Sequence, residues 1–140
     1  MKKISICLTI LCFNFLMMSC KKDEVVSVTP TEVTPGLTAL LQGSFTSSAH
    51  ATSGTVKLSK DAAGKKFLVF ENFKTDAGPD LRIYLSDDVK ATNYTEITNK
   101  VTVSGSYQLP VDGGVDTEKK RKVLIWCQQF SILFGSADLK

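Results

Sequence analysis

The run of residues 123–135 constrains the fold most strongly, because it is apolar almost throughout and has the composition of β-strands. It is rich in β-branched and aromatic residues, holds the only tryptophan of the chain, Trp126, ends on Gly135 and has no helix-capping residue. We therefore expect one long strand or two short ones. A run this apolar on both faces belongs at the centre of a β-sheet and not at its edge.

Alternate residues of this run form two faces when the chain is extended. The face expected in the core consists of Leu124, Trp126, Gln128, Phe130, Ile132 and Phe134. The other face is mixed and places Cys127 beside Gln129 and Ser131, whose side chains form hydrogen bonds. Cys127 is therefore a candidate reactive thiol. The alternative is that it serves as a small buried hydrophobic residue, as free cysteines most often do.

The rest of the chain shows short segments of alternating polarity, separated by glycine, asparagine or aspartate at spacings near ten residues. No helical pattern of ten or more residues interrupts them. The candidate strands are residues 42–50, 55–60, 66–73, 81–86, 94–98, 101–103 and 106–109. We predict an all-β fold, an antiparallel β-sandwich or partly closed barrel, in a single domain of residues 37–140.

The N-terminus has the pattern of a secretory signal peptide, predicted over residues 1–19. Lys2 and Lys3 precede an apolar stretch that is too short for a permanent membrane span. The pair Ser19-Cys20 then resembles the lipobox of bacterial lipoproteins, in which the cysteine is lipidated and becomes the mature N-terminus. We predict lipidation at Cys20 and attachment to a membrane through it. A plain signal peptide cut elsewhere is the alternative.

Residues 20–36 are rich in threonine, proline and charge, and we interpret them as a lipid-anchored flexible linker. Lys22-Asp23-Glu24 resembles a sorting signal that sends some lipoproteins to the outer face of the outer membrane, although a charged linker has the same composition. The predicted location is the bacterial cell envelope, at the outer membrane.

Charge and cysteine content limit the function classes. Loss of the signal peptide leaves 15 basic and 14 acidic side chains, so we do not expect nucleic acid as a partner. The basic run of residues 119–122 is interpreted as a solvated loop, with weak phosphate or lipid-headgroup contact as the alternative. Cys127 remains as the only unpaired cysteine, in a compartment that tends to oxidise thiols.

Common catalytic motifs are missing from the sequence. It contains no phosphate-binding glycine loop, no CxxC and no HExxH, and a single histidine, His50, so we expect no metal site. A Ser-His-Asp hydrolase would need His50, and no GxSxG motif surrounds any serine. The sequence indicates no particular cofactor.

One ordered set of residues resembles a known family along nearly the whole globular part. The set is Gly43-x-Phe45, His50, Ser53-Gly54-Thr55-Val56, Asn72-Phe73, Gly78-Pro79-Asp80-Leu81, Tyr84-Leu85-Ser86, Tyr107-x-Leu109-Pro110, Val123-x-Ile125-Trp126-Cys127-x-x-Phe130-Ser131 and Phe134-Gly135-x-Ala137-x-Leu139. It is similar to the DM-thirteen domain. The resemblance implies a β-strand domain with a characteristic cysteine, which corresponds to Cys127, and a proposed role in electron transfer or redox reactions.

Domains of this family sometimes accompany haem-binding domains, and no such domain is found in these 140 residues. We therefore expect a separate redox partner. His50 is interpreted either as an ordinary satisfied histidine or as a neighbour or co-ligand of Cys127. The alternative function is a binding or adhesion module that presents the loops at residues 76–80 and 111–120 to a carbohydrate or protein. A third possible function is that of a plain structural lipoprotein.

Overall fold

The structure is a computed structural model that describes residues 28–140. The predicted signal peptide, Cys20 and residues 20–27 of the predicted linker lie outside the described residues. Within the described part all regular structure is β-strand, and no helix there is long and apolar enough to cross a membrane. The strands are β1 (Thr38–Ser47), β2 (Thr52–Lys60), β3 (Lys66–Thr75), β4 (Leu81–Ser86), β5 (Tyr94–Thr98), β6 (Ser104–Val111), β7 (Lys122–Cys127) and β8 (Ile132–Asp138).

The eight strands form one antiparallel sheet in the order β5-β4-β7-β8-β1-β2-β3-β6. Strand β1 joins its two halves, because Thr38 to Ser44 pair with β2 whereas Phe45 to Ser47 pair with β8. The two edge strands, β5 and β6, contact each other, so the sheet is curled on itself. The prediction of an all-β antiparallel sandwich or partly closed barrel is confirmed.

Gly43 lies where β1 changes partners. A Cβ atom at this position would lie 2.2 Å from the carbonyl oxygen of Asp138 at the end of β8. Because this neighbour is backbone, it cannot rotate away, and only glycine permits the close passage of the two strands. The corner between the two halves of the sheet therefore depends on this residue.

The core lies between the two halves of the curled sheet. Four aromatic rings fill its centre, where Phe70 stacks on Tyr107 at 4.7 Å between ring centroids and meets Phe73 edge-on at 5.3 Å. The facing half contributes aliphatic side chains such as Ile83, and both sets are almost completely buried. These contacts give the geometry that aromatic pairs prefer.

The predicted strand positions agree with the structure at β4 and β5, and residues 37–41, left open between a helical turn and an extended chain, mostly belong to β1. Residues 101–103 do not form the strand that their alternation indicated. They connect β5 to β6, and Thr102 instead accepts a hydrogen bond from the hydroxyl of Tyr107 at 3.1 Å.

The run of residues 123–135 forms two central strands, β7 and β8, as predicted. Of the six residues of the expected core face, only Phe134 belongs to the apolar core cluster, so the prediction was right for Phe134 and wrong for β7. Residues Val123, Ile125 and Cys127 face the core, whereas Trp126 lies half-buried on the outer face. The physical reason is the turn at residues 128–131, which breaks the alternation assumed for one continuous strand and leaves Phe130 59% exposed.

The described part of the predicted linker, residues 28–36, contacts the sheet. Thr31 forms an isolated β-bridge with Gln108 of β6. Residues 28–36 of the predicted linker therefore lie against the domain. The domain boundary at residue 37 stays a prediction.

Candidate functional site

Both candidate residues, Cys127 and His50, lie at one end of the curled sheet. Three connections meet there, at residues 48–51, 76–80 and 128–131, and we call this region the thiol end. Backbone hydrogen bonds tie the connections together: the amide of Asp76 donates to the carbonyl of Ala51 at 3.2 Å, and the amide of Gln128 donates to the carbonyl of Asp80 at 2.9 Å. The thiol end is therefore a hydrogen-bonded cap on the core.

Cys127 is the last residue of β7, with backbone partners Leu81 in β4 and Ile132 in β8. Its side chain is completely buried in the apolar core cluster and forms no disulfide. Gln129 and Ser131, the polar neighbours expected from strand alternation, lie exposed in the following turn. The thiol thus faces apolar side chains, one residue before an exposed turn.

His50 lies on the outside of the same end. Its ring stacks on Phe134 at 3.8 Å between centroids, and its Nδ1 lies 3.2 Å from Oδ2 of Asp76. The side chain of His50 is 41% exposed, whereas Phe134 belongs to the core cluster that contains Cys127. The polar contact of His50 therefore goes to Asp76, and an aromatic ring of the core lies beneath the imidazole.

The loop of residues 76–80 packs directly on the core at this end. A Cβ atom at Gly78 would lie 2.9 Å from Cδ2 of Leu81 and 3.0 Å from Cζ of Phe134. Since Leu81 is the backbone partner of Cys127, the loop covers the layer of side chains around the thiol. The small size of Gly78 permits this close cover.

A cleft of about 500 Å³ opens beside the loop of residues 76–80, which we call the cover or cover loop. It lies between residues 77–81 and residues 99–103, with Thr29 and Pro30 completing its wall. Asp80 and Lys100 supply charge in a lining that otherwise consists mainly of small and aliphatic residues. The cleft is thus an accessible surface beside Leu81, the strand partner of Cys127.

The outer face of β4 and β7 carries an aromatic cluster that the sequence interpretation did not identify. The ring of Tyr84 stacks on that of Tyr94 at 4.1 Å and lies 6.4 Å from that of Trp126. The hydroxyl of Tyr84 donates a hydrogen bond to Oε1 of Gln128 at 2.7 Å. Burial of Tyr84 raises the pKa of its phenol well above the usual value.

Arg82 forms the polar part of the same face. Its Nε donates to Asp80 at 3.0 Å and its Nη1 donates to Glu96 at 2.8 Å. These hydrogen bonds to the two carboxylates raise the pKa of the guanidinium, and Asp80 contributes most. The network connects the cover loop to strand β5.

One indication of this face was present in the sequence. Asp80, Arg82 and Tyr84 alternate, so the side chains share one face of an extended chain. Their partners Glu96 and Gln128 come from another strand and a turn, and only the strand register brings them together.

Three of the four basic side chains of residues 119–122 pair with carboxylates, and the fourth, Lys120, donates to uncharged groups. Arg121 donates to Glu118 at 2.6 Å, Lys120 donates to Asn93 at 3.1 Å, and Lys122 pairs with Asp138. Within residues 28–140, no group of three or more histidine, cysteine, aspartate or glutamate side chains could hold a metal ion.

Comparisons with known proteins define the family. No curated protein and no solved structure matches the chain. The family model described as Electron transfer DM13 matches residues 44–139, a range that runs from β1 through β8 and includes the whole thiol end. Because this match covers more than half of the chain, the protein belongs to the electron transfer DM13 family.

Proposed function

We propose that this protein is an electron-transfer module of the bacterial cell envelope, anchored through a lipid on Cys20, in which Cys127 is the redox group. The observation that carries the proposal is the family match over residues 44–139, under a description of electron transfer. Cys127 is the only cysteine in that range and is a free thiol. Its place at the end of β7 supports the assignment, because the exposed turn starts at the next residue.

A single thiol limits the chemistry. Without a second cysteine in the domain, Cys127 forms no internal disulfide, so a two-electron oxidation ends in a sulfenic acid or in a disulfide with another molecule. In the second case a peroxide first oxidises the Cys127 thiolate to a sulfenic acid and is itself reduced, and a partner thiol then displaces water from the sulfenic acid to form a mixed disulfide. A second thiol of the partner attacks the partner sulfur of this mixed disulfide, which releases Cys127 as a thiolate and leaves the partner oxidised to a disulfide. The partner is accordingly a separate molecule with a dithiol/disulfide pair.

The burial of Cys127 requires that the cover opens before this reaction. The loop of residues 76–80 is the element that moves, since it lies on Leu81 and Phe134 rather than within the sheet. His50 acts here as a positioning residue, because its contact with Asp76 joins two connections of the thiol end above Phe134. Loss of that contact should increase the rate at which the thiol becomes accessible.

The test uses the soluble Cys20→Ser form and a thiol reagent under native conditions. We expect Cys127 to be labelled faster than global unfolding allows, and to yield a sulfenic acid or mixed disulfide after mild peroxide. His50→Ala should label several-fold faster than the change in its unfolding midpoint accounts for, and Cys127→Ala should give no adduct. Labelling of Cys127 only in denaturant would overturn the redox role.

The anchor is tested separately. Cys20→Ser should move the protein from the membrane fraction to the soluble fraction, because the acyl chains supply the membrane affinity. The matched control is Cys12→Ser, which changes a cysteine within the predicted signal peptide and should leave the mature protein in the membrane. Retention of the Cys20→Ser form in salt-washed membranes would contradict lipidation.

A second candidate function is a binding module, favoured by the cleft beside residues 77–81 and by the complete burial of Cys127. In this case the loop of residues 76–80 presents polar groups to a carbohydrate and the cysteine serves only in packing. Titration of a soluble envelope saccharide, followed through the amide resonances of residues 77–81 and 99–103, distinguishes the two. Shifts confined to these residues, with an inert thiol, would favour binding.

A further inference from the structure

One group of three outward-facing side chains is buried although it lies outside the apolar core cluster. Ser59 in β2, Val69 in β3 and Gln108 in β6 are only 3%, 4% and 4% exposed, and each alternates with core residues on its strand. These side chains lie beneath another part of the chain. Residues 28–37 provide this cover, and we call them the N-terminal clasp.

The clasp pairs with the edge of β6. The amide of Thr31 donates to the carbonyl of Gln108 at 3.1 Å, and the amide of Gln108 donates to the carbonyl of Thr31 at 2.8 Å. Strand β6 has β3 as its partner on the other side, so this bridge uses backbone groups at an exposed sheet edge.

The side chain of Gln108 forms a second set of hydrogen bonds with the clasp. Its Oε1 accepts from the amide of Thr34 at 3.0 Å, and its Nε2 donates to Oγ1 of Thr34 at 2.8 Å. Both ends of a buried amide are thus satisfied by one residue of the clasp, which gives the contact a defined register.

The clasp also reaches the opposite edge of the sheet. The hydroxyl of Thr98, at the end of β5, donates to the carbonyl of Val28 at 2.5 Å. Further along, Val33 and Leu37 line a small cleft together with Val69 and Ser59 on the outer face. The clasp therefore spans the seam between β5 and β6 and continues over the outer face into β1.

We propose that the outer face of β3 and β6 is a docking surface for residues 28–37, so that only residues 21–27 act as a tether. This inference rests on the proposed lipid anchor at Cys20. Seven residues span at most about 25 Å, whereas the 17 residues between Cys20 and β1 would span about 60 Å if the clasp were free. The domain is therefore held at the bilayer surface, and a redox partner has to be bound to the same membrane or to approach its surface closely.

The first experiment measures the clasp without the anchor. In the soluble Cys20→Ser form, hydrogen exchange at the amide of Thr34 should be slowed at least about tenfold relative to an unstructured chain. Thr31→Pro removes the amide hydrogen that bonds to Gln108 and should abolish most of this protection, while amides of β7 keep theirs.

Thr29→Ala is the matched control, because no hydrogen bond of the Thr29 side chain holds the clasp in the described structure. It should leave exchange at Thr34 unchanged. Unprotected exchange at Thr34 in the otherwise unchanged soluble form would overturn the clasp, whatever the result for the anchor.

The second experiment measures the reach of the tether. The lipidated protein is inserted in vesicles with dansyl-labelled headgroups, and energy transfer is recorded from Trp126, the only tryptophan. Transfer should fall in Thr31→Pro and in a variant with roughly ten Gly and Ser residues inserted after residue 26, but not in Thr29→Ala.

Equal transfer in the unmodified protein, Thr31→Pro and the insertion variant would overturn the short tether. Failure of every form to associate with vesicles would instead contradict the lipid anchor, and the exchange experiment on the soluble form would still decide whether the clasp is docked.

Discussion

Strands β4 and β7 present two faces of different character. On the inner face Ile83, Val123, Ile125 and Cys127 are completely buried and pack within one apolar cluster. On the outer face Arg82, Tyr84 and Trp126 combine ring contacts with hydrogen bonds to carboxylate and amide groups. The same two strands therefore contribute dispersion and apolar burial on one side and oriented polar contacts on the other.

This difference affects the candidate site directly. Cys127 lies on the inner face, where packing density tolerates little change, while the elements that would open above it, such as Asp80 in the cover loop, are held by the outer network through Arg82. Substitutions on the inner face should therefore lower global stability. Substitutions on the outer face should make the cover loop open more easily and should lower global stability only slightly.

The largest expected effect comes from the inner face. Ile125→Ala removes a fully buried side chain from the core and should lower the free energy of unfolding by about 2–5 kcal/mol, because it loses apolar burial and leaves a cavity. Urea denaturation of the soluble form measures this. Ile132→Ala, at a position that is 38% exposed, is the control and should cost much less. An equal loss of unfolding free energy in both variants would contradict the difference between buried and exposed positions of the central strands.

High pH should lower the stability of the protein through one buried tyrosine on each face. Burial raises the pKa of Tyr107, whose hydroxyl is bonded to Thr102, and the pKa of Tyr84 is raised as well. Above about pH 10 the unfolded phenols lose their protons first, so the unfolded state is favoured. The contribution of each such tyrosine is fully present below pH 10. Above that pH, the free energy of unfolding falls by up to about 1.4 kcal/mol per pH unit for each of them.

Urea midpoints between pH 9 and pH 11 measure the effect. Tyr107→Phe and Tyr84→Phe should each remove the decline that their own phenol contributes, because both phenols are almost completely buried. A stability that does not decrease above pH 10 would contradict the raised pKa of both groups.

The smallest effect is expected from the outer ion pairs. Arg82→Ala breaks the contacts with Asp80 and Glu96 and should cost about 1 kcal/mol, since the guanidinium is only 27% exposed and bonds to two carboxylates. The control is Lys119→Ala, whose pair with Asp116 is largely exposed and should contribute less than about 0.5 kcal/mol. Thermal unfolding resolves the difference. An equal effect of both variants would mean that the outer network gives the cover no special support.

Much of the fold could be predicted from local patterns. Alternation and turn residues located β4 and β5 at their observed bounds and indicated that residues 123–135 form central strands. The ordered motif set led to the family that the comparisons confirm. These predictions succeeded because strand periodicity and turn chemistry depend on neighbouring residues.

The orientation of the central run could not be predicted in the same way. A turn of four residues between β7 and β8 places Cys127 and Phe134 in one core, although a continuous strand would separate them onto opposite faces. Strand alternation has a period of two, so one unrecognised turn changes which side chains point inward.

The sequence by itself determined the strand content, the family and the identity of the single thiol in the domain, because these depend on composition and local order. The tertiary structure alone decided that Cys127 is buried, that His50 contacts Asp76 and Phe134, and that residues 28–37 lie across the sheet. Each of these contacts joins residues distant along the chain. Strand register and packing, which act only in the folded chain, bring them together.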